Sequence, residues 1–155
     1  MQIDLSVQTD PEFEGDANHQ HLNDVVLSAV SQEASDETWT LGLLITNDEN
    51  IRRLNAQYRG EDSFTDVLAF AAGEDSDGFV SPPCTPPHLG DIAISYPCAV
   101  AQAAQFGHST AEELDRLVVH GVLHLLGYDD QTRVQRKAMW ARQEAIVRAF
   151  HPHGA

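Results

Sequence analysis

The sequence predicts an α+β fold, and three observations carry that expectation. The chain has 155 residues, a length that suits one domain with a buried core. Four short stretches are rich in β-branched and other apolar residues, and longer stretches between and after them repeat apolar residues every three or four positions. One of the longer stretches carries two histidines a helical turn apart and reads as a zincin-like metal helix. A single domain over residues 1–155 is therefore expected, a small β-sheet packed with helices.

Ile3, Leu5 and Val7 alternate with polar residues and form the first strand. The stretch from Pro11 to Asn18 is a polar connection, after which Leu22, Val25, Val26, Ala29 and Val30 recur at helical spacing. Thr38 to Thr46 is short and rich in β-formers. Asn47 follows as a cap for a helix whose first turn holds Asp48 and Glu49 and whose inner face is Ile51, Leu54 and Tyr58. Asp66 to Phe70 and Asp91 to Ser95 are two further strands. Between them Ala71 to His88 contains Pro82, Pro83, Pro86 and Pro87, which exclude a central strand and predict a long surface loop. Pro97 suits the first turn of a helix that Gly107 ends. Ser109 and Thr110, each three residues ahead of a glutamate, set the start of the next helix near 110. The run from Gln131 to Phe150 is a terminal helix.

The chemistry concentrates in His120-Gly-Val-Leu-His124-Leu-Leu-Gly127-Tyr128-Asp129-Asp130. Two histidines four apart on a helix lie one above the other, so both imidazoles reach the same point. Such a pair alone is a weak signal. Leu114, Leu117, Val118, Val122 and Leu125 give this helix a buried stripe, however, and imidazoles beside a packed face cost free energy unless each has a partner. Gly127 ends the helix, since a residue without Cβ takes the left-handed conformation that caps a C-terminus. A carboxylate of Asp129 or Asp130, just past the turn, can complete three protein ligands and leave one position for water, as catalytic zinc requires.

Composition narrows the partners. Nine Lys and Arg stand against 24 Asp and Glu, a formal net charge of -15, and residues 1–51 carry 11 acids and no Lys or Arg. Unaided affinity for naked polyanions is expected to be modest. Two basic groups remain, Arg52, Arg53 and Arg59, then Arg133, Arg136, Lys137, Arg142 and Arg148. A local basic lip can steer a polyanion toward an acidic body, although the second group is equally well explained as a solvated helix face. Cys84 and Cys98 lack metal or redox spacing and are expected as free thiols. The opening residues lack the basic start and continuous apolar run of a signal peptide, and no apolar run approaches membrane-spanning length, so a cytoplasmic protein is expected.

The segment from His120 to Asp129 resembles the signature of the YbeY family of metal-dependent endoribonucleases, His-Gly-x-Leu-His-Leu-x-Gly-Tyr-Asp-His, in ten of its eleven positions. Leu54-Asn55 with Tyr58-Arg59, Thr65 to Phe70, and Leu89-Gly90-Asp91-Ile92 resemble three further family segments in the same order. The resemblance implies a mixed sheet with helices around it, one zinc ion, and cleavage of single-stranded RNA in ribosomal RNA maturation and ribosome quality control. It also implies the bacterial cytoplasm and contact with the small ribosomal subunit or its proteins, with no DNA or membrane partner. Carried over by position, His120 and His124 are metal ligands, Arg59 is the basic residue needed for activity, and Asp91 is the acid on the strand beside the site. The departure is Asp130, where the family usually has His. Asp oxygen binds zinc at about 2.0 to 2.2 Å, nearly the His distance, so Asp130 is expected as third ligand, with Asp129, His88, His151 and His153 as alternatives.

The expected chemistry is hydrolytic. Zinc lowers the pKa of a bound water, and Arg59, with its planar fork, holds a phosphate oxygen. Asp91 is a candidate general base or an orienting group. Gly121 stands where metalloproteases of the His-Glu-x-x-His type carry their general base, which removes support for peptide hydrolysis.

Overall fold

The computed structural model describes residues 1–72 and 87–152. Four strands form one mixed sheet: β1 (Gln2–Thr9), β2 (Thr38–Thr46), β3 (Val67–Ala71) and β4 (His88–Ser95), in the order β1-β2-β4-β3. β1 and β4 both run parallel to β2, and β3 pairs antiparallel with β4 at the edge. Five α-helices accompany them, α1 (His19–Val30), α2 (Asp48–Arg59), α3 (Tyr96–Phe106), α4 (Thr110–Leu125) and α5 (Arg133–Phe150). This is the α+β architecture expected from the alternation of short β-rich runs with helical periods.

Local chemistry sets most boundaries. The Asn47 side chain accepts the Asn50 N–H at 2.9 Å, so α2 begins where the sequence places it. Ser109 accepts from Glu112 N–H and starts α4. Two differences stand out. Ala71 and His88, expected in the connecting loop, are strand residues, because β4 gains three residues at its start by pairing with β2 and β3. The rest of that loop, 73–86 with Cys84, lies outside the described residues. The polar connection after β1 also holds one short turn of 3-10 helix, Pro11–Phe13, with Phe13 buried.

The two faces of the sheet are covered unequally. Ile3, Leu41, Leu43, Ile45, Ile92 and Ile94 pack with α1, α4 and α5 in the main core, where Val118, Val119, Val122 and Leu123 of α4 are fully buried. Each such side chain contributes about 1.5–3 kcal/mol by leaving water. The other face carries α2 over β3 and β4, through Ile51, Leu68 and Ala93. Beyond α2 that face turns polar, since β1 presents Asp4, Ser6 and Gln8 there, and a cavity of about 580 Å³ stays open. α4 thus packs against the sheet on one side and against α1, α3 and α5 on others.

Candidate active site and metal centre

α4 comes unusually close to β4 at Gly121, where a Cβ would lie 3.0 Å from two carbons of Ile92. That approach brings His120 and His124 toward the edge strand β3. Both histidines, with Asn55, Arg59, Thr65 and Ala69, line a cavity of about 320 Å³. Past the helix end Gly127 adopts φ 104°, and the Tyr128 N–H donates to the Leu123 carbonyl at 3.0 Å, so the chain turns away as the glycine requires.

His120 is half-buried and its orientation is fixed from behind. Its Nδ1 lies 2.9 Å from Gln143 Oε1 on α5, while Gln143 Nε2 donates to Glu144 Oε2 at 3.3 Å. Glu144 in turn accepts two bonds from Arg116, at 2.8 and 2.9 Å. Burial pushes the Glu144 carboxyl up, but the hydrogen bonds from Arg116 and Gln143 and the charges of Arg116 and Arg148 outweigh it and hold the group below its ordinary value. The Arg116 guanidinium is correspondingly raised, chiefly by its bond to Glu144. An ionised Glu144 turns the amide nitrogen of Gln143 toward itself and the amide oxygen toward His120. Nδ1 therefore carries the hydrogen, and Nε2 keeps its lone pair for a metal.

His124 is exposed at the same cavity. Arg59 closes α2, whose cap Gly60 adopts φ 70°. Its guanidinium donates to the Ala69 carbonyl of β3 and sits 5.2 Å from the Phe70 ring centroid. Only one of five N–H donors is spent in that bond, which leaves the fork able to bind an oxyanion. Phe70 also contacts Tyr58, with ring centroids 5.3 Å apart.

The remaining expected residues are placed differently. Asp130 is exposed in the turn after α4 and does not line the cavity; its backbone N–H is bonded to Asp129 Oδ1 and its carbonyl to Arg136. Asp91 is separated from the histidines. It lines the larger cavity on the α2 face, where the absent side chain of Gly42 makes room for its carboxylate, and it is bonded to His88 Nε2 at 3.0 Å. His88 also reaches Thr40 at 2.7 Å. His151 lies against Asp115 at 2.5 Å, and His153 falls outside the described residues.

Among the described residues, the three donors lying within 4.8 Å of one another are His21, Asp115 and His151, and His120, His124 and Asp130 do not form such a group. At the cavity beside β3, two imidazoles with one tautomer set are donors of the kind a borderline dication takes. The network of Arg116, Gln143 and Glu144 and the cluster around Asp115 were not foreseen. A polar residue inside the apolar stripe of α4, as Asp115 is, was the available signal.

Comparison with known proteins follows the same outline. The family model "Endoribonuclease YbeY" matches residues 5–151. The protein named endoribonuclease YbeY in Roseiflexus sp. (strain RS-1) is 55% identical over 111 residues, 71% of this chain and 69% of its own length. Its namesake in Chloroflexus aurantiacus is 42% identical over 148 residues, 95% of this chain and 91% of its own. The solution structure of TM1509 from Thermotoga maritima, 24% identical, superposes with a TM-score of 0.62 over 93% of this chain and 87% of that one, and shares the fold.

Proposed function

The chain belongs to the YbeY endoribonuclease family, and from that premise we propose that it cleaves single-stranded RNA, with one zinc ion, at the cavity lined by His120, His124 and Arg59. The process served is ribosomal RNA maturation and ribosome quality control in the cytoplasm. The observation that carries this reading is the chain of bonds from Arg116 through Glu144 and Gln143 to His120, which presents a free imidazole nitrogen to a cavity shared with an arginine.

In this reading His120 and His124 hold the ion, and Asp130 completes the set from the turn. The hydrogen bonds of Asp130 run through its backbone, so its carboxylate can be turned inward without breaking them. Zinc at this position supplies a Lewis acid and an activated water near neutral pH. Arg59 grips a non-bridging phosphate oxygen and offsets the charge that develops on it. Tyr58 and Phe70 line the larger cavity with Asp91, and the Phe70 ring is packed by Tyr58 and by the Arg59 guanidinium. Asp91 is left out of the chemical step, because its carboxylate opens onto the other cavity. Peptide hydrolysis is disfavoured sterically as well as chemically, since Ile92 leaves no room for a glutamate side chain at position 121.

A labelled single-stranded RNA incubated with zinc-loaded protein tests the proposal. His124→Ala and Arg59→Ala are expected to lower kcat/KM by about 100-fold or more, the loss typical of removing a group that stabilises transition-state charge. Asp130→Ala is expected to lose the zinc of this site and Asp130→His to retain it. Undiminished cleavage by His124→Ala after chelation would overturn the assignment. Product ends identify the attacking group, a 2′,3′-cyclic phosphate marking the RNA's own hydroxyl.

A further inference from the structure

We propose that His21, Asp115 and His151 form a second metal site, separate from the one above, which takes a zinc-class dication and fastens the end of α5 to α1 and α4. Three ligands from three distant parts of the chain meet there. His21 Nε2 lies 2.6 Å and His151 Nε2 2.5 Å from the same oxygen, Asp115 Oδ2. All three donor atoms fall within 4.8 Å of one another.

A buried carboxylate lies at the centre of the cluster. Asp115 is only 1% exposed, and a buried carboxylate is costly unless its charge is matched. Its partners among the described residues are these two histidines, with no Lys or Arg beside it. A bound cation matches that charge, as an imidazolium would. A dication does so while using both Nε2 lone pairs. Two imidazole nitrogens and one carboxylate oxygen suit zinc and its neighbours, and they exclude magnesium and calcium, which take oxygen sets.

Geometry permits the exchange. Ligands held at about 2.0–2.2 Å in a tetrahedron sit roughly 3.3 Å apart, so each nitrogen and the oxygen must separate by under about 1 Å. The His21 and His151 side chains are 33% and 19% exposed, which leaves a solvent side for entry and for a fourth, water ligand. The two sites cannot share an ion. At about 100° per residue, Asp115 points roughly opposite to His124 around α4, so the helix would carry one metal on each side.

Full-length protein stripped with chelator, refilled with Zn²⁺ and desalted gives the metal content per chain. About two equivalents are expected in the wild type. His151→Ala and Asp115→Asn each lose one of them, His124→Ala loses the other, and the combined His124→Ala and His151→Ala chain loses both. Cobalt bound to the His124→Ala chain is expected to show the d–d bands of a nitrogen and oxygen site, which circular dichroism of the same sample ties to folded protein. A His124→Ala chain that is folded and holds no metal overturns the proposal, as does a wild-type content that His151→Ala and His21→Ala leave unchanged. The two sites fail separately. One equivalent lost with His151 but not with His124 supports the clasp and overturns the catalytic centre, and the reverse pattern does the opposite.

Discussion

Gln143 has no chemistry of its own, yet it decides which nitrogen of His120 faces the cavity. Replacing it with Leu removes the acceptor at Nδ1 and leaves the imidazole free to change tautomer or rotate. Loss of such an outer partner costs about 10- to 100-fold in metal affinity, and zinc competition against a chromophoric chelator should show a drop of that size for Gln143→Leu. Unaltered affinity would mean that the ring is held by packing alone. Glu144 gives a second, pH-dependent handle. Its carboxyl is held below its ordinary value, so the stability it contributes is present above the unfolded carboxylate range, about pH 4.3, and is lost as pH falls through the lower folded value. The Tm difference between wild type and Glu144→Gln should therefore be widest near neutrality and shrink in acid below about pH 4. A difference that grew on acidification would contradict this sign. Neither residue announces itself in the sequence. Gln143 and Glu144 read as ordinary surface positions of a terminal helix, and only the register of α5 against α4 turns them inward.

At the scale of elements, α4 is where sequence and structure agree most closely and where the close packing has a measurable cost. The apolar stripe, the Ser109 cap and the stop at Gly127 are local properties, set by residues within a few positions of one another, and they are legible for that reason. The same holds for β2, whose bounds Thr38–Thr46 match the expectation. The extension of β4 to His88 is different in kind, because a strand end is fixed by what lies alongside, in this case Thr40 and Ala71 with Gly90. The start of α5 shows the intermediate case: Thr132 and Gln135 form a reciprocal cap, and the helix begins at Arg133, two residues inside the expected boundary. Gly121 tests how tightly α4 rests on β4. An added methyl group 3.0 Å from Ile92 overpacks the contact, and Gly121→Ala should destabilise by about 1–3 kcal/mol despite the better helix propensity of alanine. Chemical denaturation measures this directly, and Ile92→Val in the same chain should recover part of the loss. A Gly121→Ala protein more stable than wild type would show that the glycine serves some other purpose.

Taken as a whole the molecule is strongly acidic, with a formal net charge of -15, and that balance bears on how RNA would reach the proposed site. Arg52 is paired with Asp62 at 2.6 Å, which raises the arginine pKa and lowers that of the aspartate, chiefly through their hydrogen bond. That leaves Arg59 at the cavity and the exposed Arg53 on the same helix as the cations best placed for phosphates. With one or two phosphates neutralised, log Kobs for a short single strand should fall with log salt at a slope of about -0.7 to -1.4. Fluorescence anisotropy across a salt series measures this, and affinity for the free strand should be weak throughout. A slope steeper than about -4 would bring in the second basic group, the exposed Arg133, Arg136 and Lys137 of α5. The shallow slope has a functional corollary, because an enzyme with little electrostatic hold on naked RNA acts where something else concentrates the substrate. Adding small ribosomal subunits should then raise the cleavage rate on their own RNA far more than on a free strand of the same sequence. Equal rates on the two would place recognition in the chain itself.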